Sequence, residues 1–323
     1  MSCFRPNYVT YADGKIGRFG GRLTQYILDN NPPGCEIVPV PCGKCAGCRL
    51  DRGKRWADRM LLEFETSRDD MPSRTALFVT LTYDDVHLPR IVCKDGASRG
   101  TLRKKDVQDF LKRLRKHFAP KRIRFYSAGE YGDQTFRPHY HQILYGLSLD
   151  DFPDTVLYAH DPDQDTDLFV SPLLDRLWSN GSVKFSVASY RTFSYVARYV
   201  LKKQFVSDFG DAWYKGRVPP FSTCSRRPGI GADFFDDDFD VSSVSISDGL
   251  DVHKIQAPRI NWEKKYLTNP AECDTMKAQK RAISKGINDC VLAGTDLPYL
   301  AYLRSCERIL NLKSRAAFER SKL

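Results

Sequence analysis

The 323-residue chain reads as an α+β protein. The expectation is a central antiparallel sheet, or a mixed one, with helices packed on one side. A Cys-rich N-terminal segment precedes it and a helical C-terminal tail follows. Two observations lead there. The main elements run strand, helix, strand, strand, helix, and the two adjacent strands are close enough to pair as a hairpin. This is not the regular alternation of a doubly wound sheet. The hydrophobic share of 41% supplies a real core.

Residues 1–49, rich in Gly, Pro and Cys, read as an irregular, extended lead-in. The main domain is placed at 50–232. Leu50 to Thr66 reads as a helix, with Trp56, Met60, Leu61 and Phe64 on its apolar side. Thr75 to Tyr83 is a β-rich run, broken by Asp84, Asp85 and Pro89. Val107, Phe110, Leu111, Leu114 and Phe118 follow helical spacing across 104–118, and Pro120 stops that helix. Ile123 to Ala128 and Tyr140 to Leu147 read as paired strands joined by a turn-rich loop over 129–137. An Asp- and Pro-containing excursion follows, with a short helix near 171–178. Ser182 to Val187 is a further strand, and Ala188 to Lys203 a helix. Residues 204–232 look loop-like. An acidic linker is expected over 233–261 and a basic helical tail over 262–323.

The formal net charge is +10, which favours a polyanionic partner. Ten Lys or Arg fall between Arg103 and Arg124. Their clustering suggests one basic working face, with acidic loops elsewhere. No run of apolar residues is long enough for a membrane span, and the N-terminus lacks the apolar core of a signal peptide. Ten cysteines without such a signal read as reduced thiols in a cytoplasm. No Gly-x-x-x-x-Gly-Lys-Ser/Thr occurs, so the chain carries no P-loop helicase of its own.

Two clusters can carry chemistry. His139 and His141, two apart on a strand, point to one face and can hold one metal ion. Glu130, near the end of the preceding strand, can swing its carboxylate beside them if the two strands pair. Two imidazoles and a carboxylate suit Mg²⁺ or Mn²⁺ in phosphoryl chemistry, and Zn²⁺ can also bind such a set. Tyr195 and Tyr199, four apart on a helix, share a face. Arg198, Lys202 and Lys203 around them can hold a phosphate and favour a phenolate. Metal plus tyrosine is the equipment for covalent cleavage of a phosphodiester. Aromatic residues at helical spacing are otherwise ordinary core, and paired histidines on a strand can simply face solvent. Separately, Cys42, Cys45 and Cys48 can wrap one Zn²⁺, with Cys3 or Cys35 as the fourth ligand. An Fe–S cluster ranks below zinc.

Three stretches, Phe78-Val79-Thr80-Leu81-Thr82-Tyr83, Arg137-Pro138-His139-Tyr140-His141 and Tyr195-Val196-Ala197-Arg198-Tyr199, resemble in order the motifs of HUH-type rolling-circle replication initiators. The resemblance extends to the replication-associated proteins of microviruses, the gokushovirus branch above all. Cys42-Gly43-Lys44-Cys45, Gly129-Glu130-Tyr131-Gly132 and Ser225-Arg226-Arg227-Pro228-Gly229-Ile230-Gly231 look like that branch too. The resemblance implies a ferredoxin- or RRM-like HUH endonuclease domain over 50–232. Its metal ligands would be His139, His141 and Glu130, its nucleophiles Tyr195 and Tyr199. Arg137, Arg198, Lys202 and Lys203 would bind phosphate or DNA. The implied activity is nicking and joining of single-stranded DNA at an origin through a 5′-phosphotyrosine, in the cytoplasm of a bacterial host. A host helicase and polymerase would be its partners, and no membrane. Other readings are an HUH relaxase or transposase, or a non-catalytic zinc-containing DNA-binding protein. The chain departs from the pattern at Arg198, where Lys is common. Arginine holds phosphate but does not readily exchange a proton.

Overall fold

A computed structural model describes residues 3–12, 15–18, 30, 36–68, 71–132, 135–162, 165–204, 214–236 and 243–320. Side chains within 198–204 and 314–320 lie outside that description.

The chain forms two compact units. The smaller comprises residues 1–52 and 269–323. It contains an antiparallel sheet of β1 (Asn7–Ala12), β2 (Lys15–Arg18) and β3 (Glu36–Val40) in the order β2-β1-β3, and the start of α1 (Ala46–Glu65). The lead-in is thus more ordered than its Gly and Pro content suggests. The same unit holds two long C-terminal helices, Pro270–Ala293 and Tyr299–Arg320.

The larger unit, residues 53–268, is built on β4 (Ala76–Tyr83), with a small hairpin β5 (Arg90–Val92) and β6 (Ser98–Gly100), then α2 (Lys104–His117). After these come β7 (Arg124–Tyr131), β8 (Pro138–Tyr145), β9 (Val156–Asp161), β10 (Thr166–Val170) and α3 (Pro172–Trp178). The unit closes with β11 (Gly181–Val187), α4 (Tyr190–Gln204), β12 (Phe221–Cys224), the hairpin β13 (Ser243–Ser247) and β14 (Val252–Gln256), and α5 (Arg259–Thr268). The two C-terminal helices of the smaller unit follow in chain order as α6 and α7.

Seven strands form one sheet in the order β12-β7-β8-β4-β11-β10-β9, every neighbouring pair antiparallel. The fold is therefore α+β on an antiparallel sheet, as its sequence suggests. Helices cover both faces, however, and not one. Leu77, Val79 and Leu81 pack with Val107, Phe110, Leu111 and Leu114 of α2 and Leu174 and Trp178 of α3. Ala76 and Phe78 pack with Met60 and Leu61 of α1 and Phe193, Val196 and Ala197 of α4. The reason lies in β4 itself. It is apolar at both parities over 76–79, the mark of a strand buried on both sides.

Two expectations of irregular structure change. The 148–181 excursion contains the β9–β10 hairpin, and 221–224 is an edge strand. The acidic stretch read as a linker holds β13 and β14, with Ile246 and Ile255 buried in the core. Its Ser and Asp residues alternate with those apolar positions or make the turn.

The Ser225–Gly231 motif has a structural explanation. Glu63 of α1, fully buried, accepts from Arg124 Nε at 2.5 Å and from the Gly231 N–H at 2.8 Å. Arg124 also donates to the Pro228 carbonyl at 2.9 Å. Gly231 has φ +65°, and a Cβ there would lie 2.4 Å from the Arg59 carbonyl oxygen, so only glycine fits.

Candidate active site

Register assembles the site. Across the sheet, Thr82 pairs with His139 and His139 with Glu130, while Thr80 pairs with His141 and His141 with Ala128. Cross-strand partners share a face. Both strands run further than the sequence suggests, so Glu130 sits within β7, not in a turn, and His139 within β8. Glu130 is fully buried, not exposed.

His139 Nε2 lies 2.6 Å and His141 Nε2 3.0 Å from the same oxygen, Glu130 Oε1. All three ligand atoms fall within 4.8 Å of one another. The outer ring nitrogens are also engaged. His139 Nδ1 donates to the Arg137 carbonyl at 3.1 Å, and His141 Nδ1 lies 3.0 Å from Thr80 Oγ1. A carbonyl oxygen only accepts, so Nδ1 of His139 carries its hydrogen. In the neutral ring, Nε2 then presents a lone pair to a carboxylate oxygen. Two acceptors so close require a positive centre: a proton on the ring, or a cation touching both atoms. Glu130 Oε2 is buried without a hydrogen-bond partner, another sign of a site built for a cation. Burial pushes the Glu130 carboxyl up, but its bonds to His139 and His141 outweigh this and hold it below the usual range.

Tyr195 joins the same cluster. Its ring meets His141 edge-on, centroids 5.2 Å apart, and meets Phe78 at 5.9 Å. Phe78 stacks on His141 at 5.5 Å, so the imidazole is fixed between two aromatic rings. Tyr199 lies one turn further along α4. Its side chain, and those of Arg198, Lys202 and Lys203, lie outside the described residues. Tyr190 is engaged elsewhere: its hydroxyl donates to Asp58 at 2.9 Å, and burial first and that carboxylate second push its pKa well up. Tyr140 points to the opposite face. Its buried hydroxyl donates to the Arg103 carbonyl at 3.0 Å and accepts from the Arg103 N–H at 2.7 Å, pinning β8 to the start of α2. Gly129 is required behind it, since a Cβ there would lie 3.1 Å from the Tyr140 ring.

Arg137, expected at a phosphate, donates through Nε and Nη2 to the Tyr83 carbonyl and through Nη1 to Asp85 Oδ1 at 2.7 Å. It ties the start of β8 to the end of β4, and its own carbonyl orients His139. Gln142 lies on the other face against Ser127, and Asp84 binds His87, so neither joins the histidines. The basic run at 103–124 is not beside the site either. Its helix, α2, packs on the face that carries Leu77, Val79 and Leu81, whereas the histidines share the α4 face. Arg113 caps α3 through the Leu177 and Trp178 carbonyls, and Arg124 is buried against Glu63. Charge summed along a segment does not reveal which side of a sheet it occupies.

Lys184 belongs to no motif that the sequence offers. It pairs with Thr80 across β11 and β4, so it shares the site's face, and its ammonium lies 3.9 Å from the Tyr158 ring centroid. Its position between apolar Val183 and Phe185 is the available signal: a charge at the alternate parity of a buried strand. Cys3, Cys42, Cys45 and Cys48 form a second cluster, within the smaller unit, with all four sulfurs inside 4.8 Å of one another. Cys35 lies outside the described residues.

A family model described as that of the replication-associated protein ORF2 matches residues 76–204, from the start of β4 to the end of α4. That span contains the whole His–Glu–Tyr cluster, and it defines the chain's class as a replication-associated protein. More particularly, the chain stands among those of small phages, the microviruses. It is 27% identical to replication-associated protein ORF2 of Spiroplasma virus 4, over 88% of both chains. It is 28% identical to VP4 of Bdellovibrio phage phiMH2K, over 72% of this chain and 66% of that one. Replication-associated protein ORF4 of Chlamydia phage 1 is 29% identical, over 61% of this chain and 46% of that one. No solved structure matches. No described helix is long and apolar enough to cross a membrane.

Proposed function

We propose that the chain nicks and rejoins single-stranded DNA at an origin, starting rolling-circle replication of a small circular genome in the cytoplasm of a bacterial host. One observation carries this reading: two imidazole Nε2 atoms converge on one buried carboxylate oxygen, with a tyrosine ring packed on the inner histidine. His139, His141 and Glu130 would hold Mg²⁺ or Mn²⁺, which would supply Lewis-acid polarisation of the scissile phosphate. The Tyr195 phenolic oxygen attacks phosphorus, the bond to the 3′-oxygen breaks, and the proton ends on the freed 3′-OH. The 5′-phosphotyrosine retains the bond energy, so the later attack of a 3′-OH rejoins the strand without ATP. Tyr199, one helical turn on, would serve the second cleavage. Arg198, Lys202 and Lys203 extend the same helix with positive charge. Lys184 and the exposed Tyr158 beside it offer a cation and a stacking ring for a displaced strand. The endonuclease domain would occupy 50–232, with 262–323 as a separate tail. A host polymerase would extend the 3′-OH, and a host helicase would open the duplex.

The relatives' printed role in replication favours this over a relaxase or transposase. The test uses single-stranded oligonucleotides tiling the genome that encodes the chain. His139→Ala should keep the fold and lose at least about 100-fold of Mn²⁺-dependent nicking. Nicking by that variant at the wild-type rate would remove the metal site from the mechanism.

A further inference from the structure

We propose that Cys3, Cys42, Cys45 and Cys48 form a closed tetrathiolate site for one structural Zn²⁺, separate from the nicking centre and independent of its chemistry. The geometry is that of a coordination tetrahedron. Sulfurs about 2.3 Å from a central zinc are about 3.8 Å apart. Cys3 Sγ and Cys45 Sγ are 3.8 Å apart, and Cys42 Sγ and Cys48 Sγ 4.0 Å. Sulfurs at these separations are not bonded to each other, since a disulfide places them about 2.05 Å apart.

The surrounding backbone suits thiolates. The N–H of Phe4 donates to Cys45 Sγ at 3.4 Å, and that of Cys42 to Cys3 Sγ at 3.3 Å. The N–H groups of Lys44 and Cys45 both donate to Cys42 Sγ, at 3.4 and 3.3 Å. A neutral thiol is a weak acceptor and attracts little of this. Four deprotonated sulfurs around a divalent ion carry net negative charge, which converging amide dipoles offset. Cys3, Cys45 and Cys48 are buried in a small cluster with Phe4. Four soft ligands select zinc over Mg²⁺ or Mn²⁺ and leave no open position for a substrate.

The site's role follows from what it joins. Cys45 precedes α1 and Cys48 lies in its first turn, whereas Cys3 comes from the other side of the three-stranded sheet in sequence. Two residues after Cys3, Arg5 Nε donates to Glu307 Oε2 of α7 at 2.8 Å. Zinc would thus fasten the start of the chain where it meets both the α1 entry loop and a C-terminal helix.

The test uses the wild-type full chain and no DNA, so its outcome is separable from that of the nicking reading. Metal analysis of the purified protein should find about one zinc per chain. Timed alkylation with peptide mass spectrometry should label exposed Cys290 at once, while Cys3, Cys42, Cys45 and Cys48 are protected. A zinc chelator should release that protection at all four together and lower the melting temperature. Protein without zinc, protein with iron instead, or a Cys42 labelled as fast as Cys290 before chelation would each overturn the proposal.

Discussion

Thr80 Oγ1 is the atom that fixes His141 from outside, 3.0 Å from Nδ1. For His139 the same task falls to the Arg137 carbonyl. Such outer contacts set the ring orientation and decide which nitrogen faces the metal. Thr80→Val keeps the shape of the side chain and removes the hydroxyl. It should leave the stability within about 1 kcal/mol of wild type and weaken Mn²⁺ binding roughly 10- to 100-fold. Titrating nicking against Mn²⁺ reads this: a rightward shift with nearly full activity at saturation is expected, and an unshifted curve would remove Thr80 from the site. At this scale the sequence is informative about the ligands and poor about their supports. His139 and His141 share a face by parity alone, and Glu130 follows once the strands pair. Thr80 in a β-rich run looks like any strand-forming threonine. Its partner comes from a strand 61 positions away, which no local pattern shows. Arg137 has the converse problem: its charge suggests phosphate, but a guanidinium beside two strand ends is used to join them.

At the scale of elements, the hairpin of β13 and β14 shows how composition misleads. Asp248, one of the acidic residues that make this stretch look like a linker, organises the turn. Its carboxylate accepts from the N–H groups of Leu250 and Asp251 and from His253 Nε2 at 2.7 Å. Burial pushes its pKa up, but these donors outweigh burial and hold it at about 2. The folded-state value lies below the unfolded one of 3.8. Its stabilisation is therefore fully present above about pH 4 and is lost as pH falls towards about 2. Asp248→Asn should cost about 1–2 kcal/mol at about pH 7. That gap should close near pH 2, because the wild-type carboxyl is then protonated as well. Urea unfolding at a series of pH values measures it, and a gap that did not change with pH would refute the assignment. The long, strongly patterned elements are legible throughout: α1, β4, α2, β8 and α4 follow from period and breakers. The β9–β10 hairpin and β12 are not, because their strands are short, exposed or at an edge, and polar residues there carry no alternation.

At the scale of the whole molecule, the two-faced sheet decides where DNA can run. The ten basic residues at 103–124 are the loudest charge signal in the sequence, yet their helix lies on the face away from the histidines. Binding at the site rests instead on Lys184 and the basic end of α4. Affinity for single-stranded DNA should fall linearly on a log–log plot of binding constant against salt, with a slope of about −0.7 per phosphate neutralised. Lys184→Ala should make that slope shallower by about 0.7, whereas Lys112→Ala, on exposed α2 surface, should leave it unchanged. Equal effects of the two would restore the basic run as the working face.

The central claim is that Tyr195, held against a His139–His141–Glu130 metal centre, is a covalent nucleophile, with Tyr199 as its partner. The most direct measurement is mass-spectrometric mapping of the denaturant-resistant protein–DNA adduct formed with Mn²⁺ and an origin-containing single strand. The adduct is predicted on Tyr195 or Tyr199, on the remaining one when either is changed to Phe, and on neither in the double variant. An adduct on Tyr190 or Tyr140, or cleavage without any adduct, would contradict the account.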